Sequence, residues 1–401
     1  MTKPPHIAFA LPDIGEEEIQ EVVDTLRSGW LTTGPRVAQF ESDFAKYVQT
    51  PHALAVNSGT AGLHLALAAL GLKPGDEVIT TPLTFCATVN VILQCGARPV
   101  FADIGDDLNM DPAAIQGAIT PATRAILPVH IGGLPCDMDA IWNLAERHRL
   151  HVVEDAAHAA GSQYRGVPIG GGRSDAVAFS FYATKNLTTG EGGMVTAGSA
   201  ELDERMRILC LHGIDKHAWN RYSEAGSWFY EVVDCGFKYN MSDIQAALGI
   251  HQLRKLDRMN ARRAEIAARY SDAFSQWEEL EAPPNHAEAF HSWHLYCLRL
   301  NLGSLRIDRA EFIAELKDRG IGCSVHFIPI MLHPYYRDTL TWDQPCTRAA
   351  VEYHRMLSLP IYSRMTDHEV DRVIEAVQTV IDRNRRVAVP VTEACAAQID
   401  V

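Results

Sequence analysis

The feature that most constrains this chain is an alternation, from Leu54 to Asp155, of short apolar runs with segments of helical periodicity. ALAV (53–56) precedes TAGLHLALAALGL, EVIT (77–80) precedes TFCATVNVILQCG, and RPVFAD (98–103) precedes DPAAIQGAI. RAILPV (124–129) then precedes DMDAIWNLAERHRL, and HVVED (151–155) closes the series. Strands separated by helices of this length form βαβ units, which give a parallel sheet covered on both faces. The expected fold class is α/β, a mostly parallel central sheet flanked by helices, followed by a smaller α+β unit.

Past the sheet pattern, Ile244, Ala247, Leu248, Ile266, Tyr270 and Phe274 keep helical spacing, which predicts one long helix from Ser242 to about Phe274. Such a helix can leave one domain and enter the next. Beyond it, strand-like HLYCLRL and CSVHF flank a helical AEFIAELKDRG. Val370, Val373, Ile374, Val377 and Ile381 mark the apolar face of a final helix. The expected division is a large α/β domain over 1–255 and a small C-terminal α+β domain over 256–401. The segment VPVTEACAAQIDV at the end reads as a poorly anchored tail.

Composition excludes several functions. Across 401 residues, 36 Lys and Arg stand against 50 Asp and Glu, and no basic run forms a nucleic-acid footprint. The nine cysteines form no CxxC pair and are odd in number, which suits reduced thiols rather than a disulfide framework or zinc site. The first residues lack the apolar core of a signal peptide, and LHLALAALGL is too short to span a bilayer. The expectation is a soluble, cytoplasmic protein without nucleic-acid or membrane partners.

The familiar nucleotide, metal and hydrolase motifs are missing. No GxGxxG follows the first strand, no lysine follows a glycine as in a P-loop, and no GxSxG elbow occurs. His286, His291 and His294 cluster loosely, but a metal reading is weaker than one of solvated or structural histidines. No metal site is expected.

Four loops after strand ends carry chemistry instead, at the place where open α/β sheets hold ligands. NSGTAG (57–62) opens a helix with small residues and two hydroxyls, a setting for a phosphate, although Ser58 or Thr60 equally suits an N-cap. In TPLTFCATVN (81–90), Phe85 reads as core or as an aromatic that stacks on a planar ring. HVVEDAAHAAG (151–161) ends its strand in Asp155, with His158 three residues on. That aspartate is a structural cap, or a carboxylate beside a pyridine nitrogen, where it favours the protonated ring. SFYATKNLTTGEGGMV (180–195) sets Lys185 between an apolar strand and a glycine-rich turn. It is a solvated loop lysine or a Schiff-base lysine.

Taken together, SFYATKNLTTGEGG, VEDAAHAAG, NSGTAGLHLAL, TPLTFCATVNVI and GFKYNMSDIQAALG resemble the DegT/DnrJ/EryC1/StrS family of pyridoxal phosphate (PLP)-dependent sugar aminotransferases. The similarity runs from GWLTTGP at Gly29 to SLPIY at Ser358. The resemblance implies a fold-type-I aminotransferase that works as a homodimer with shared active sites. It implies that Lys185 forms the internal aldimine and that Asp155 partners the pyridine nitrogen. His158 would lie beside the phenolic oxygen, a position where family members often have glutamine. Phe85 would stack on the ring. Gly59, Thr60 and Ser180 would contact the phosphate, with Asn240 offered to it from the other subunit. Thr33, Lys238 and His326 match segments near the sugar nucleotide.

The implied reaction takes nitrogen from L-glutamate, releases 2-oxoglutarate, passes through pyridoxamine phosphate (PMP) and aminates a nucleotide-linked keto sugar. GFKYNMSDIQAALG and SWHLYCLRL look most like the branch that aminates C4 of UDP-4-keto sugars. A 3-keto-sugar or cyclitol aminotransferase shares every cofactor residue and stays open. A sugar 3-dehydrase has histidine in place of the lysine, so Lys185 argues against it, and a non-catalytic regulator has no need of Asp155 and Lys185 together. An acidic chain that binds a diphosphate needs local cations, for which Lys238, Arg221, Arg36 and His326 are the candidates.

Overall fold

The computed structural model describes residues 5–215, 229–342 and 346–386. Arg221, Cys395 and the C-terminal VPVTEACAAQIDV lie outside the described residues. The central sheet has seven strands, in the order Ala53–Val56, Gly193–Ala197, Ala176–Ser180, His151–Asp155, Thr123–Leu127, Glu77–Thr80, Arg98–Phe101. All run parallel except Gly193–Ala197, which is antiparallel to both neighbours. The six parallel strands therefore end at one edge, and the four chemistry-bearing loops leave from there.

Both faces of the sheet are covered, which is why its strands are apolar almost throughout. One face packs on a core that includes Phe40, Phe44, Ile126, Phe179 and Met194, the other on one that includes Leu65, Leu67, Val78, Leu127 and Val195. The helix Gly59–Ala69 is buried on nearly all sides, between the sheet and the helices Cys86–Gln94 and Ala200–Cys210. The rings of Phe179 and Phe181 pack against Phe44 and Phe40, with centroids 5.0 and 5.5 Å apart. Each such burial contributes about 2 kcal/mol, and together they anchor the strand end that carries Ser180.

A separate core gathers Tyr270, Tyr296, Phe312, Leu359 and Val377 around the three-stranded sheet Leu280–Glu281, Tyr296–Leu300, Met356–Leu359. The helix Leu256–Phe274 serves both cores: Leu256 and Met259 pack on the first, Ile266 and Tyr270 on the second.

Two expectations need correction. The long helix is two, Asp243–Arg254 and Leu256–Phe274, because Lys255 leaves helical geometry at φ −109, ψ 5. Its ammonium is drawn to Glu18 (2.6 Å) and Asp13 (3.6 Å) at that corner. CSVHF is no strand; Ser324 makes a single bridge to Ser358, and the residues after it turn into the cavity described next. Among the described residues no helix is long and apolar enough to cross a membrane.

Candidate active site

A cavity of about 400 Å³ opens at the carboxyl edge of the sheet. Ser58 caps the helix Gly59–Ala69, its Oγ accepting from the Ala61 N–H at 3.1 Å, and it also lines the cavity. Gly59 lets that helix start against the strand end, since a Cβ there would lie 2.9 Å from the Ser180 Cβ. Thr60 is exposed to the same space. Free N–H groups and hydroxyls at a helix N-terminus form an anion site.

Asp155, at the end of His151–Asp155, is 5% exposed. Its Oδ2 accepts from Thr88 Oγ1 at 2.8 Å and its Oδ1 from the Ala157 N–H at 3.1 Å. Burial raises its pKa, against the pull of Thr88, Ala157, Lys185 and His130. Behind it, His130 Nε2 and Glu154 Oε2 form a buried pair at 2.7 Å. His130 Nδ1 accepts from the Cys136 N–H, so the proton between His130 and Glu154 is the imidazole's.

His158 is buried beside Asp155 and accepts from the Gly132 N–H at Nδ1 (3.2 Å), which leaves the proton of the neutral ring on Nε2. Burial, and then the charge of Lys185, hold its pKa well below the usual range. Its ring contacts those of Phe327, at 5.7 Å, and His294, at 4.5 Å. His326 also lines the cavity, stacked on Phe9 and bonded through Nδ1 to Ser358 Oγ at 2.9 Å. Burial and the nearby lysine push its pKa down to about 4, so it is neutral and does not supply the cation expected of it. Phe85 is 58% exposed at the cavity and lies 6.0 Å from Phe327.

Lys185 faces this space from the loop between Ala176–Ser180 and Gly193–Ala197. Burial lowers its pKa to about 8, the charge of Asp155 acting in the opposite sense. An amine so poised can exchange a proton near neutral pH.

Asn240, Thr33 and Lys238 do not line the cavity; they form a group of their own. Asn240 Nδ2 donates to Thr33 Oγ1 at 2.7 Å, Thr33 Oγ1 donates to the Met241 carbonyl, and the Lys238 ammonium donates to Asn240 Oδ1. Arg36 is paired with Glu21 at 2.6 Å and is likewise away from the cavity. The cavity also contains Thr84, Glu191 and Phe327, which sequence reasoning did not single out, and His294, which it did not assign to a site. His294 was read only as one of a loose cluster with His286 and His291, and that spacing gave no sign that it reaches this cavity.

A family model for DegT/DnrJ/EryC1/StrS aminotransferases matches residues 12–378. The chain belongs to that family. As a member of the DegT/DnrJ/EryC1/StrS aminotransferases, it is a PLP-dependent sugar aminotransferase. It is 54% identical over 378 residues to the spore coat polysaccharide biosynthesis protein SpsC of Bacillus subtilis, covering 94% of this chain and 97% of SpsC. Spr1654 of Streptococcus pneumoniae, solved in PMP and PLP forms, superposes with TM-scores of 0.88 and 0.87 at 37% identity. For the PMP form the match covers 94% of this chain and 98% of Spr1654. DesV of S. venezuelae superposes with a TM-score of 0.86 at 36% identity, over 96% of this chain and all of DesV.

The residues present suit PLP. Asp155 is a buried carboxylate whose contacts are two neutral donors, so its surroundings favour a cationic partner on the cavity side. The Gly59–Ser180 approach makes a cradle that a Cβ would fill, next to a helix N-terminus.

Proposed function

We propose that this DegT/DnrJ/EryC1/StrS aminotransferase moves an amino group from L-glutamate to C4 of a nucleotide-linked keto sugar. The acceptor is a UDP-4-keto-6-deoxy or related sugar, and the product serves amino-sugar, polysaccharide or glycoside biosynthesis. In this reading the enzyme is a cytoplasmic homodimer with active sites shared between protomers, its large and small domains meeting near residue 255. The observation that carries the chemistry is Lys185 facing the cavity with its pKa lowered to about 8, coupled through space to the buried Asp155. The polysaccharide setting is supported by 54% identity to SpsC.

Lys185 would hold the cofactor, and Gly59, Thr60 and Ser180 would receive its phosphate at the helix N-terminus. Asp155 would stand at the ring nitrogen, His158 beside the phenolic oxygen, and Phe85 over the ring face. When bound, PLP supplies an electron sink that lets the α-hydrogen of an amino acid leave as a proton. Lys185 Nζ would take that proton from the α-carbon and return it to the carbon on the far side of the nitrogen, a transfer its lowered pKa favours. Asp155 keeps a negative charge where a cation must persist, and the neutral His158 offers its Nε2 proton without adding charge. The apolar faces of Phe9, Phe85 and Phe327 exclude water from the cavity wall. In this reading Asn240, held by Thr33 and Lys238 outside the cavity, would serve a partner protomer's site, and Thr33, Lys238 and His326 would face the sugar nucleotide.

The test is an absorption titration of the PLP-loaded protein. L-glutamate should bleach the visible cofactor band, a UDP-4-keto sugar should restore it, and Lys185→Ala should show neither change. Restoration by a 3-keto sugar or keto cyclitol alone would displace the C4 assignment, and an untouched band would remove glutamate as donor.

A further inference from the structure

Asp155 stands at the end of a chain of two hydroxyls. Thr88 Oγ1 lies 2.8 Å from Asp155 Oδ2, and Thr84 Oγ1 lies 2.7 Å from Thr88 Oγ1. Thr88 is fully buried and Thr84 is 2% exposed. A hydroxyl has one proton, and an ionised carboxylate only accepts. Thr88 therefore donates to Asp155, and the bond between the two threonines takes its proton from Thr84. The chain has a direction, and each bond in it polarises the next.

Local structure explains the arrangement. Phe85 occupies the N-cap of the helix Cys86–Gln94, so Thr84 precedes the helix and Thr88 sits in its first turn. Thr84 thus lies within hydrogen-bond reach of that first turn, whose N–H dipoles favour a negative charge nearby. Thr84 lines the cavity, whereas Thr88 does not. Burial opposes the ionised form of Asp155, and among the groups that favour that form Thr88 contributes most, ahead of Ala157, Lys185 and His130.

We propose that Thr88, backed by Thr84, is a positioning residue that keeps the Asp155 carboxylate ionised and aimed at the ring nitrogen of PLP. The inference rests on the assignment of Asp155 as the ring partner. Valine at position 88 keeps the shape and removes the hydroxyl, leaving a buried carboxylate oxygen without its donor. The carboxyl then competes for the proton that belongs on the ring.

Nitrogen-15 NMR of the holoenzyme loaded with ring-labelled PLP reads that proton directly, with no dependence on turnover. Wild type should give a protonated-ring resonance and Asp155→Ala a neutral-ring one. Thr88→Val should move toward the Asp155→Ala position, and Thr88→Ser should return to wild type. Thr84→Val, outside the helix, should move the same way by less, and it stands in if Thr88→Val fails to fold. The glutamate half-reaction of Thr88→Val should slow about tenfold, the expected effect of one charge-assisted hydrogen bond. Folded, loaded threonine variants that keep the wild-type resonance would overturn the relay. A neutral-ring resonance in wild type itself would overturn the role of Asp155 instead.

Discussion

The imidazoles of His158 and His294 lie 4.5 Å apart at a 34° tilt, and both are held neutral by burial. His326 and His291 share that condition, pushed down by burial to about 4 and about 3. In the unfolded chain each histidine binds a proton near pH 6.5. Below that pH the unfolded state takes up protons that the folded state refuses, so stability falls as pH drops.

The expected outcome is a lower urea midpoint at pH 5 than at pH 7, each of the four histidines contributing up to about 1.4 kcal/mol per pH unit. His151 works the other way, because the hydrogen bond to Asp175 raises its pKa, and it offsets part of the loss. Equal midpoints at the two pH values, with equal slopes, would count against a neutral cluster.

Lys185 must lose its proton before it can capture PLP. With its pKa lowered to about 8 by burial, the rate of PLP uptake by the apoenzyme should rise through pH 8 and level off by about pH 9.5. Stopped-flow absorbance across this range measures it. A rate still climbing at the upper end would mean an ordinary, solvated lysine.

Gly59→Ala should weaken PLP binding while leaving the protein folded. The new Cβ would meet Ser180 Cβ at 2.9 Å and Ser180 Cα at 3.1 Å, forcing the strand end away from the helix N-terminus. Such overpacking costs on the order of 1–3 kcal/mol, so a rise of about tenfold or more in the PLP Kd is expected. An unchanged Kd would mean that the close approach has no part in holding the phosphate.

Asn186, next to Lys185 in the chain, joins three segments. Its Nδ2 donates to Asn260 Oδ1 at 2.8 Å and to the Ser292 carbonyl at 2.7 Å, and its Oδ1 lies 3.1 Å from His294 Nδ1. Asn186→Ala strands those buried partners, and a loss of about 2–3 kcal/mol in unfolding free energy is expected. A loss below about 0.5 kcal/mol would show that the network has other means of support.

The sheet was legible because strand and helix periods alternate plainly from Leu54 to Asp155, and strands covered on both faces are largely apolar. Lys185, Asp155, His158, Gly59, Thr60, Ser180 and Phe85 were legible as candidates because each lies at or just beyond a strand end, and all of them line one cavity. His294 was not, since nothing in a loop's sequence tells which pocket it reaches. Thr88 was hidden differently: on an apolar helix a threonine reads as a tolerated polar residue, and only the distance to Asp155 gives it a partner. The break at Lys255 escaped notice because no glycine or proline marks it and the apolar spacing continues on both sides. His326 is in the cavity, but charge is a property of burial, which a sequence does not display.

The single reversed strand of the sheet has a consequence for the lysine. Because Gly193–Ala197 runs back beside Ala176–Ser180, Ser180 and Gly193 sit opposite each other in register. The loop that bears Lys185 is thus closed at its base by neighbouring backbone, like a handle fixed at both ends. A parallel partner would have needed a long crossover, leaving the two ends of the loop at opposite edges of the sheet. Here the amine swings on a short, doubly anchored mount, and the arc it can sweep stays over the carboxyl edge where Asp155 ends its own strand.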